Sequence, residues 1–176
     1  MQRQEFIDIL ATTYYKFLKD LPFEQDPYMM MALKETQGKF IANLHIEIAK
    51  LHLPRSRNER RFATDYVSKE AEEILKQGST KGLRFEHIVP KSEYIIKPCQ
   101  EKAMNGELTY QYVRDRLDRY YWTATVKKWQ DDILNQRKMP GGWKEKDIFA
   151  RYREKNIMIY PYKGMLTYNA KERVTM

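Results

Sequence analysis

The residues of this chain best suited to chemistry are Glu86 and His87, an acid and an imidazole placed side by side. They end a short apolar run that is interrupted by Pro90. A carboxylate and an imidazole that meet where a strand gives way to a turn can hold a divalent metal ion and activate a water molecule. Successive residues of a regular strand face opposite sides, so the two side chains can share one ion only if the strand ends or twists there. Pro90 favours such an end.

Basic residues are concentrated in the second half of the chain. Residues 81–176 carry 20 Lys and Arg against 12 Asp and Glu, which is the whole net charge of +8, whereas residues 1–80 carry 12 of each. A neutral part joined to a basic part is typical of a scaffold attached to a segment that binds a polyanion. The predicted phosphate contacts are Lys91, Arg116, Arg119, Lys127, Lys128, Arg137, Arg151 and Arg153. For any one of them, the alternative is a solvated helix face.

Length and composition favour an ordinary globular protein. The chain has 176 residues, of which 42% are hydrophobic and 32% charged, enough for one domain with a core. The apolar runs are too short to cross a bilayer and no signal-peptide core follows Met1, so we expect a cytoplasmic protein. Cys99 is the only cysteine, which excludes an internal disulfide and a cysteine-clustered zinc site, and we expect a packed or incidental thiol.

The first 80 residues are predicted to form a helical scaffold. Apolar residues at three- and four-residue intervals indicate a helix from Phe6 that ends at Leu21-Pro22, and a second from Pro27 that stops before Pro54. The capping box Ser56-Arg-Asn-Glu59 predicts a third helix that continues to Leu75. His45 and His52 lie seven residues apart and therefore on one face of the second helix, but no third candidate metal ligand is near them.

Residues 81–176 show a mixed pattern. Strands are predicted at 83–89, at 120–126, where aromatic and β-branched residues dominate, and at 157–160. Helical spacing is found at 107–119, 128–138 and 147–155. We expect the three tryptophans Trp122, Trp129 and Trp143 to lie in the core rather than to stack on nucleobases. The predicted fold class is α+β, with an N-terminal helical layer packed on a core at residues 81–176 that carries the basic C-terminal segment.

The segment Glu86-His-Ile-Val-Pro-Lys-Ser92, followed by a second strand and a helix, resembles the ββα-metal core of the HNH endonuclease superfamily. The resemblance spans Arg84 to about Lys138, less than a third of the chain. The insertion at 93–119 is long for an HNH hairpin, and neither structural cysteine pairs nor an Asn-x-x-His tail is present.

The resemblance implies a role for each matching residue. His87 would be the general base that takes a proton from the attacking water, and Glu86 would be a metal ligand. A residue of the following helix would complete the site: Asp131 with Asn135, or Asp132 instead. These ligands are rich in oxygen, so the cofactor would be Mg²⁺ or Mn²⁺.

The predicted function is metal-dependent endonucleolytic cleavage of DNA, with RNA as the alternative substrate. Small nucleases of this kind usually serve conflicts between phages and bacterial genomes, which the resemblance alone suggests. Two rival functions differ in their needs. A non-catalytic nucleic-acid binder of the same fold needs only the basic residues, and a phage or bacterial inhibitor that binds a protein needs neither these nor His87. The oligomeric state has no signal in the sequence.

Overall fold

Along the described part of the chain, each strand follows one or two helices. The structure is a computed structural model that describes residues 1–21, 23 and 27–164. Within these ranges the helices are α1 (Arg3–Lys19), α2 (Pro27–His52), α3 (Lys69–Lys76), α4 (Lys97–Met104), α5 (Tyr110–Tyr120), α6 (Lys128–Ile133) and α7 (Ala150–Glu154), and the strands are β1 (Tyr66–Ser68), β2 (Leu83–His87), β3 (Thr123–Lys127) and β4 (Ile159–Pro161). The predicted α+β class is confirmed. No helix in these ranges has the length and apolarity needed to cross a membrane.

The four strands form one sheet in the order β2-β3-β1-β4. β2 runs antiparallel to β3, with Leu83 opposite Lys127 and His87 opposite Thr123. β1 runs parallel to β3 and antiparallel to β4. β2 is therefore an edge strand, and β1 lies inside the sheet although it comes from the half of the chain that was expected to be helical.

The predicted third helix is wrong in its first half. Residues 55–62 form two short 3₁₀ turns, β1 follows, and the helix begins only at Lys69. The side chain of Glu59 accepts from the backbone and the guanidinium of Arg61 rather than closing a capping box with Ser56. Residues 66–68 are all buried, and a strand buried on both faces shows no alternation that separates it from a helix.

The first two helices agree with their predicted spacing. Phe6, Leu10 and Tyr14 of α1 are fully buried, as expected of one apolar helix face. The predicted stop at Pro22 lies outside the described residues. Cys99 is buried, which confirms the packed thiol.

The strands of the second half were predicted nearly in place, but the helix after β3 is shorter than expected. α6 ends at Ile133 because Leu134 adopts extended backbone, with φ −80° and ψ 139°. The sequence had predicted a helix that continues to Lys138. The insertion between β2 and β3 holds a π-helical turn (Ser92–Ile96), α4 and α5.

One hydrophobic core joins the two halves of the chain, since buried residues of α1 and α2 pack with those of α5, β3 and α7. A buried ion pair supports this junction: Arg3 contacts Asp65 at 3.1 Å, and the Arg3 guanidinium lies 3.4 Å from the centre of the Trp122 ring. The Asp65 carboxylate also accepts from the backbone N–H and the hydroxyl of Thr123, each at 2.7 Å. The start of α1 is therefore fastened to both β1 and β3.

Candidate functional site at the end of strand β2

Glu86 and His87 lie on opposite faces of the sheet. The His87 ring is 5.3 Å from the ring of Phe85, two residues earlier, and Phe85 lies 5.4 Å from His45 of α2. Glu86 points the other way and forms an ion pair with Arg151 of α7. The alternation of a regular strand therefore persists to the end of β2, and the two side chains do not converge on one ion.

The Glu86 carboxylate is occupied by a buried arginine. Its Oε1 atom accepts from Nη2 of Arg151 at 2.7 Å, and the side chains of both residues are largely buried. Arg151 also donates to the carbonyl oxygens of His87, Ile88 and Asn135. Burial raises the pKa of Glu86 to about 7, and the charge of Arg151 opposes that rise.

The structure places Arg151, a predicted phosphate contact, in the interior of the protein. Only 1% of the residue is exposed, and its donors already serve the end of β2 and the segment after α6. A buried guanidinium with these partners is a structural group. Glu86, for its part, has a counter-ion within the protein and is not a free metal ligand.

The predicted helical ligands do not complete a metal site. Asn135 lies beyond the end of α6, and its side-chain oxygen accepts from the backbone N–H groups of Arg137 and Lys138. Asp131 is close enough to raise the pKa of Glu86, but its carboxylate accepts from Gln136 at 3.0 Å. In the described part of the chain, no group of three His, Cys, Asp or Glu side chains could hold a metal ion. The predicted residues thus do not fit Mg²⁺ or Mn²⁺.

The His87 side of the sheet is positively charged. The half-buried imidazole lies 5.2 Å from the ring of Tyr121, and its Nδ1 atom is buried without a hydrogen-bond partner. Burial lowers the pKa of His87 well below its usual range, and Lys91 and Arg60 lower it further. The imidazole is accordingly uncharged at neutral pH.

Two cations flank this imidazole from different parts of the chain. Lys91, directly after β2, donates from Nζ to the carbonyl oxygen of Gly38 at 2.8 Å, which fixes its ammonium against α2. Burial and the neighbouring Arg60 lower the pKa of Lys91. The exposed Arg60 places its guanidinium 5.4 Å from the centre of the Phe85 ring. We call Arg60, His87 and Lys91 the His87 site.

His45 lies in the core next to this site and contacts Tyr121, whose ring lies beside His87. Its Nε2 atom lies 2.9 Å from the carbonyl oxygen of Ala63, and its Nδ1 atom lies 3.1 Å from the hydroxyl of Tyr121. The carbonyl accepts only, which assigns the proton to Nε2 and makes Tyr121 the donor to Nδ1. Burial lowers the pKa of His45 to about 4. His45 is therefore a neutral core residue that positions the Tyr121 ring beside His87.

The other predicted phosphate contacts differ in their availability. Arg119 pairs with Glu145 at 3.1 Å, and Arg153 pairs with Asp147. Arg116 lies over the rings of Tyr112 and Tyr120. Lys128 and Arg137 are exposed, and Lys127 is half-buried at the end of β3.

Sequence reasoning missed Arg60. It lies in the electrically neutral first half, and only the fold brings it beside His87. Nothing in its local pattern separates it from the other basic residues at positions 55–61.

No protein-family model, curated protein or solved structure matches the chain.

Proposed function

We propose that the protein binds the phosphate backbone of a nucleic acid at the His87 site. The observation that carries this proposal is that neither Arg60 nor Lys91 forms an ion pair within the described part of the chain, although both flank a partly open imidazole. Cations held close together without a protein counter-ion favour an anionic ligand, and phosphate is the group that Lys and Arg most often contact in nucleic acids.

The distribution of charge supports the same partner. The excess of +8 arises after residue 80, and Arg60 joins that basic part through the fold. Electrostatic attraction to phosphates depends on the release of condensed counter-ions, so binding through this site would weaken steeply as the salt concentration rises.

The test compares two double variants with the same change in net charge. Arg60→Gln with Lys91→Gln removes the unpaired cations, whereas Arg119→Gln with Arg153→Gln removes cations already paired with Glu145 and Asp147. We expect the first variant to lose about tenfold or more in affinity for DNA or RNA and to reduce the salt slope by about 1.5 to 2, as the loss of two phosphate contacts requires.

The control variant should bind almost as well as the unmodified protein. Equal losses in the two variants would show that general charge, rather than the His87 site, governs binding. If the unmodified protein binds neither nucleic acid at low salt, the protein-inhibitor function becomes the one to pursue.

Phosphodiester hydrolysis with His87 as proton acceptor is the second candidate function. It is favoured by one specific observation: an imidazole that is uncharged at neutral pH, and can therefore accept a proton, lies beside two cations that could stabilise a phosphate. The order β2, β3, α6, with an antiparallel strand pair, supports the HNH resemblance. As in that family, the proposed base is a histidine. Glu86, Asp131 and Asn135 are not proposed as metal ligands.

Cleavage is tested with plasmid DNA and with RNA, each with Mg²⁺, with Mn²⁺ and with a chelator. His87→Ala should lower the cleavage rate by about two to four orders of magnitude, while His52→Ala, a change at an exposed histidine, should not affect it. An active His87→Ala variant would contradict the role of the imidazole. Cleavage that His87→Ala abolishes and that survives chelation would identify a metal-independent reaction.

A further inference from the structure

Trp129 differs from the other two tryptophans of the chain. Trp122 is buried beneath the Arg3 guanidinium, and Trp143 contacts Tyr94 and donates from its indole N–H to the carbonyl oxygen of Asp147. Trp129 is 53% exposed, and its indole has neither a ring contact nor a hydrogen bond within the described part of the chain. The expectation that all three tryptophans lie in the core is wrong for this one. An exposed aromatic ring without a partner is available to a ligand.

Hydrogen bonds fix the backbone on both sides of Trp129. The N–H of Lys128 donates to the carbonyl oxygen of Gly82 at 2.9 Å, which ties the start of α6 to the loop before β2. The Gln130 side chain accepts from the backbone N–H of Lys127 at 2.9 Å and donates to Glu70 of α3 at 3.3 Å. Residues on both sides of Trp129 are thus fixed to the sheet and to a neighbouring helix.

The surroundings of Trp129 are basic. The pairing of Leu83 with Lys127, together with the bond from Lys128 to Gly82, brings four cations to the same end of the β2–β3 pair. These cations are Lys81, Arg84, Lys127 and Lys128, and none of them forms an ion pair within the described residues. The acids nearest in the chain are Asp131 and Asp132, and Gln130 joins Glu70 to the same turn. The four cations outnumber these three acids. Positive charge therefore predominates around the exposed ring.

We infer that Trp129 is a stacking platform for an unpaired nucleobase and that the ligand is a single-stranded nucleic acid whose phosphates lie on the surrounding cations. The nucleic-acid class of this ligand rests on the function proposed above. An aromatic ring set among lysines and arginines is the arrangement by which proteins bind single strands without regard to sequence, since every base has a π face. Bases inside a duplex are stacked on one another and cannot use such a platform. Trp129 lies beside the start of β2 and the His87 site lies at its end, with about 13 Å of strand between them.

The experiment measures the affinity of the full chain for a labelled 12-nucleotide oligo(dT) strand and for a mixed-sequence duplex of the same length. Trp129→Leu removes the aromatic ring but keeps an apolar side chain, Trp129→Phe keeps a ring, and Ile133→Ala alters the other exposed apolar residue of α6. We expect Trp129→Leu to weaken single-strand binding by about 10- to 100-fold, with Trp129→Phe and Ile133→Ala within a few-fold of the unmodified protein and duplex binding nearly unchanged.

Each other outcome overturns the inference. Equal affinities of the Leu and Phe variants would mean that the ring does not stack. Equal losses for single strand and duplex would mean that Trp129 does not select unpaired bases. If Arg60→Gln with Lys91→Gln lowers the affinity while Trp129→Leu does not, nucleic-acid binding stands and the platform fails. If the unmodified protein binds neither oligonucleotide at low salt, both fail, and the exposed Trp129 and Ile133 then belong to a protein contact.

Discussion

Glu86 and His87 are joined by one peptide bond but lie in different environments. Glu86 shares a buried space with the permanently charged Arg151, while His87 shares a partly open space with Arg60 and Lys91. The carboxylate is thereby paired with a cation of the protein, whereas the Nδ1 atom of the imidazole has no hydrogen-bond partner among the described residues. For this pair of residues, the direction of each side chain decides its role more than its chemical type.

The Arg151 guanidinium should be important for stability rather than for binding. Arg151→Met would leave Glu86 buried without its counter-ion and would leave the carbonyl oxygens of His87, Ile88 and Asn135 without their donor. We expect the free energy of unfolding, measured in urea, to fall by about 3–5 kcal/mol. The neighbouring Arg153→Met, at an exposed ion pair with Asp147, should change it by less than about 1 kcal/mol.

A double variant separates the ion pair from general packing. Glu86→Leu combined with Arg151→Met removes both charges together, and its unfolding free energy should recover part of the loss of the single variant. If Arg151→Met were instead fully stable and bound nucleic acid poorly, the arginine would have to reach the surface, against its burial here.

The edge strand β2 is held at both ends by side chains of other elements. Its outward carbonyl oxygens at Leu83 and His87 accept from Arg61 and Arg151, respectively. Because these carbonyl oxygens are occupied, the edge offers fewer acceptors to a strand of another molecule. Natural sheets commonly protect their edges against such pairing. The two arginines come from elements far apart in the sequence, so the end of β2 is positioned by tertiary contacts and not by its own hydrogen bonds alone.

The sequence could predict the elements whose signal is local. The apolar spacing of α1 and the β-branched run of β3 identified both, because one buried face or a strong β propensity is visible in a short window. β1 was missed because a short central strand buried on both faces lacks a period. The structure does not bring the predicted metal ligands together, because Glu86 and His87 face opposite sides of the sheet and because the helix that would carry Asn135 ends before Leu134. The role of Arg60 could not be predicted from the sequence, since its place beside His87 follows from contacts between α2, the 60–62 turn and β2.

The pH dependence of stability should reveal the junction that His45 makes between α2, Ala63 and Tyr121. Its pKa is about 4 in the folded protein, below the ordinary 6.5, so the unfolded chain binds a proton that the folded chain rejects. The stabilisation is therefore complete above about pH 6.5 and is lost as the pH falls toward 4, by about 3 kcal/mol in total. Glu86, whose pKa is raised to about 7, acts in the opposite sense over an overlapping range.

A comparison of the unmodified protein with a His45→Gln variant separates the contribution of His45 from that of Glu86. The difference in unfolding free energy between the unmodified protein and this variant should shrink as the pH falls from about 6.5 to 4, because Glu86 contributes equally to both. Urea unfolding at several pH values measures it. Parallel curves for the two proteins would show that the pKa of His45 is the same in the folded and the unfolded states.

The distribution of charge suggests a boundary near residue 80, but the hydrophobic core continues across it. The net charge of +8 belongs to residues 81–176, which suggested a separate nucleic-acid-binding part. The core, however, includes Phe6 and Leu10 of α1 together with Leu117 of α5, and β1 lies between β3 and β4. The basic part therefore shares its core and its sheet with the neutral part, which also supplies Arg60.

A fragment that begins at Gly78 should consequently fail to fold and to bind. It would lack β1, so β3 and β4 would lose the strand between them, and it would lack Arg3, whose ion pair with Asp65 fastens α1 to the sheet. We expect circular dichroism of the fragment alone to show little helix, and its affinity for single-stranded DNA to lack the dependence on Trp129. Mixing or co-expressing it with residues 1–77 should restore both, because the two pieces together hold every strand of the sheet. A fragment that folds alone and binds nucleic acid as tightly as the full chain would show instead that the basic part is an independent domain, and that Arg60 is dispensable.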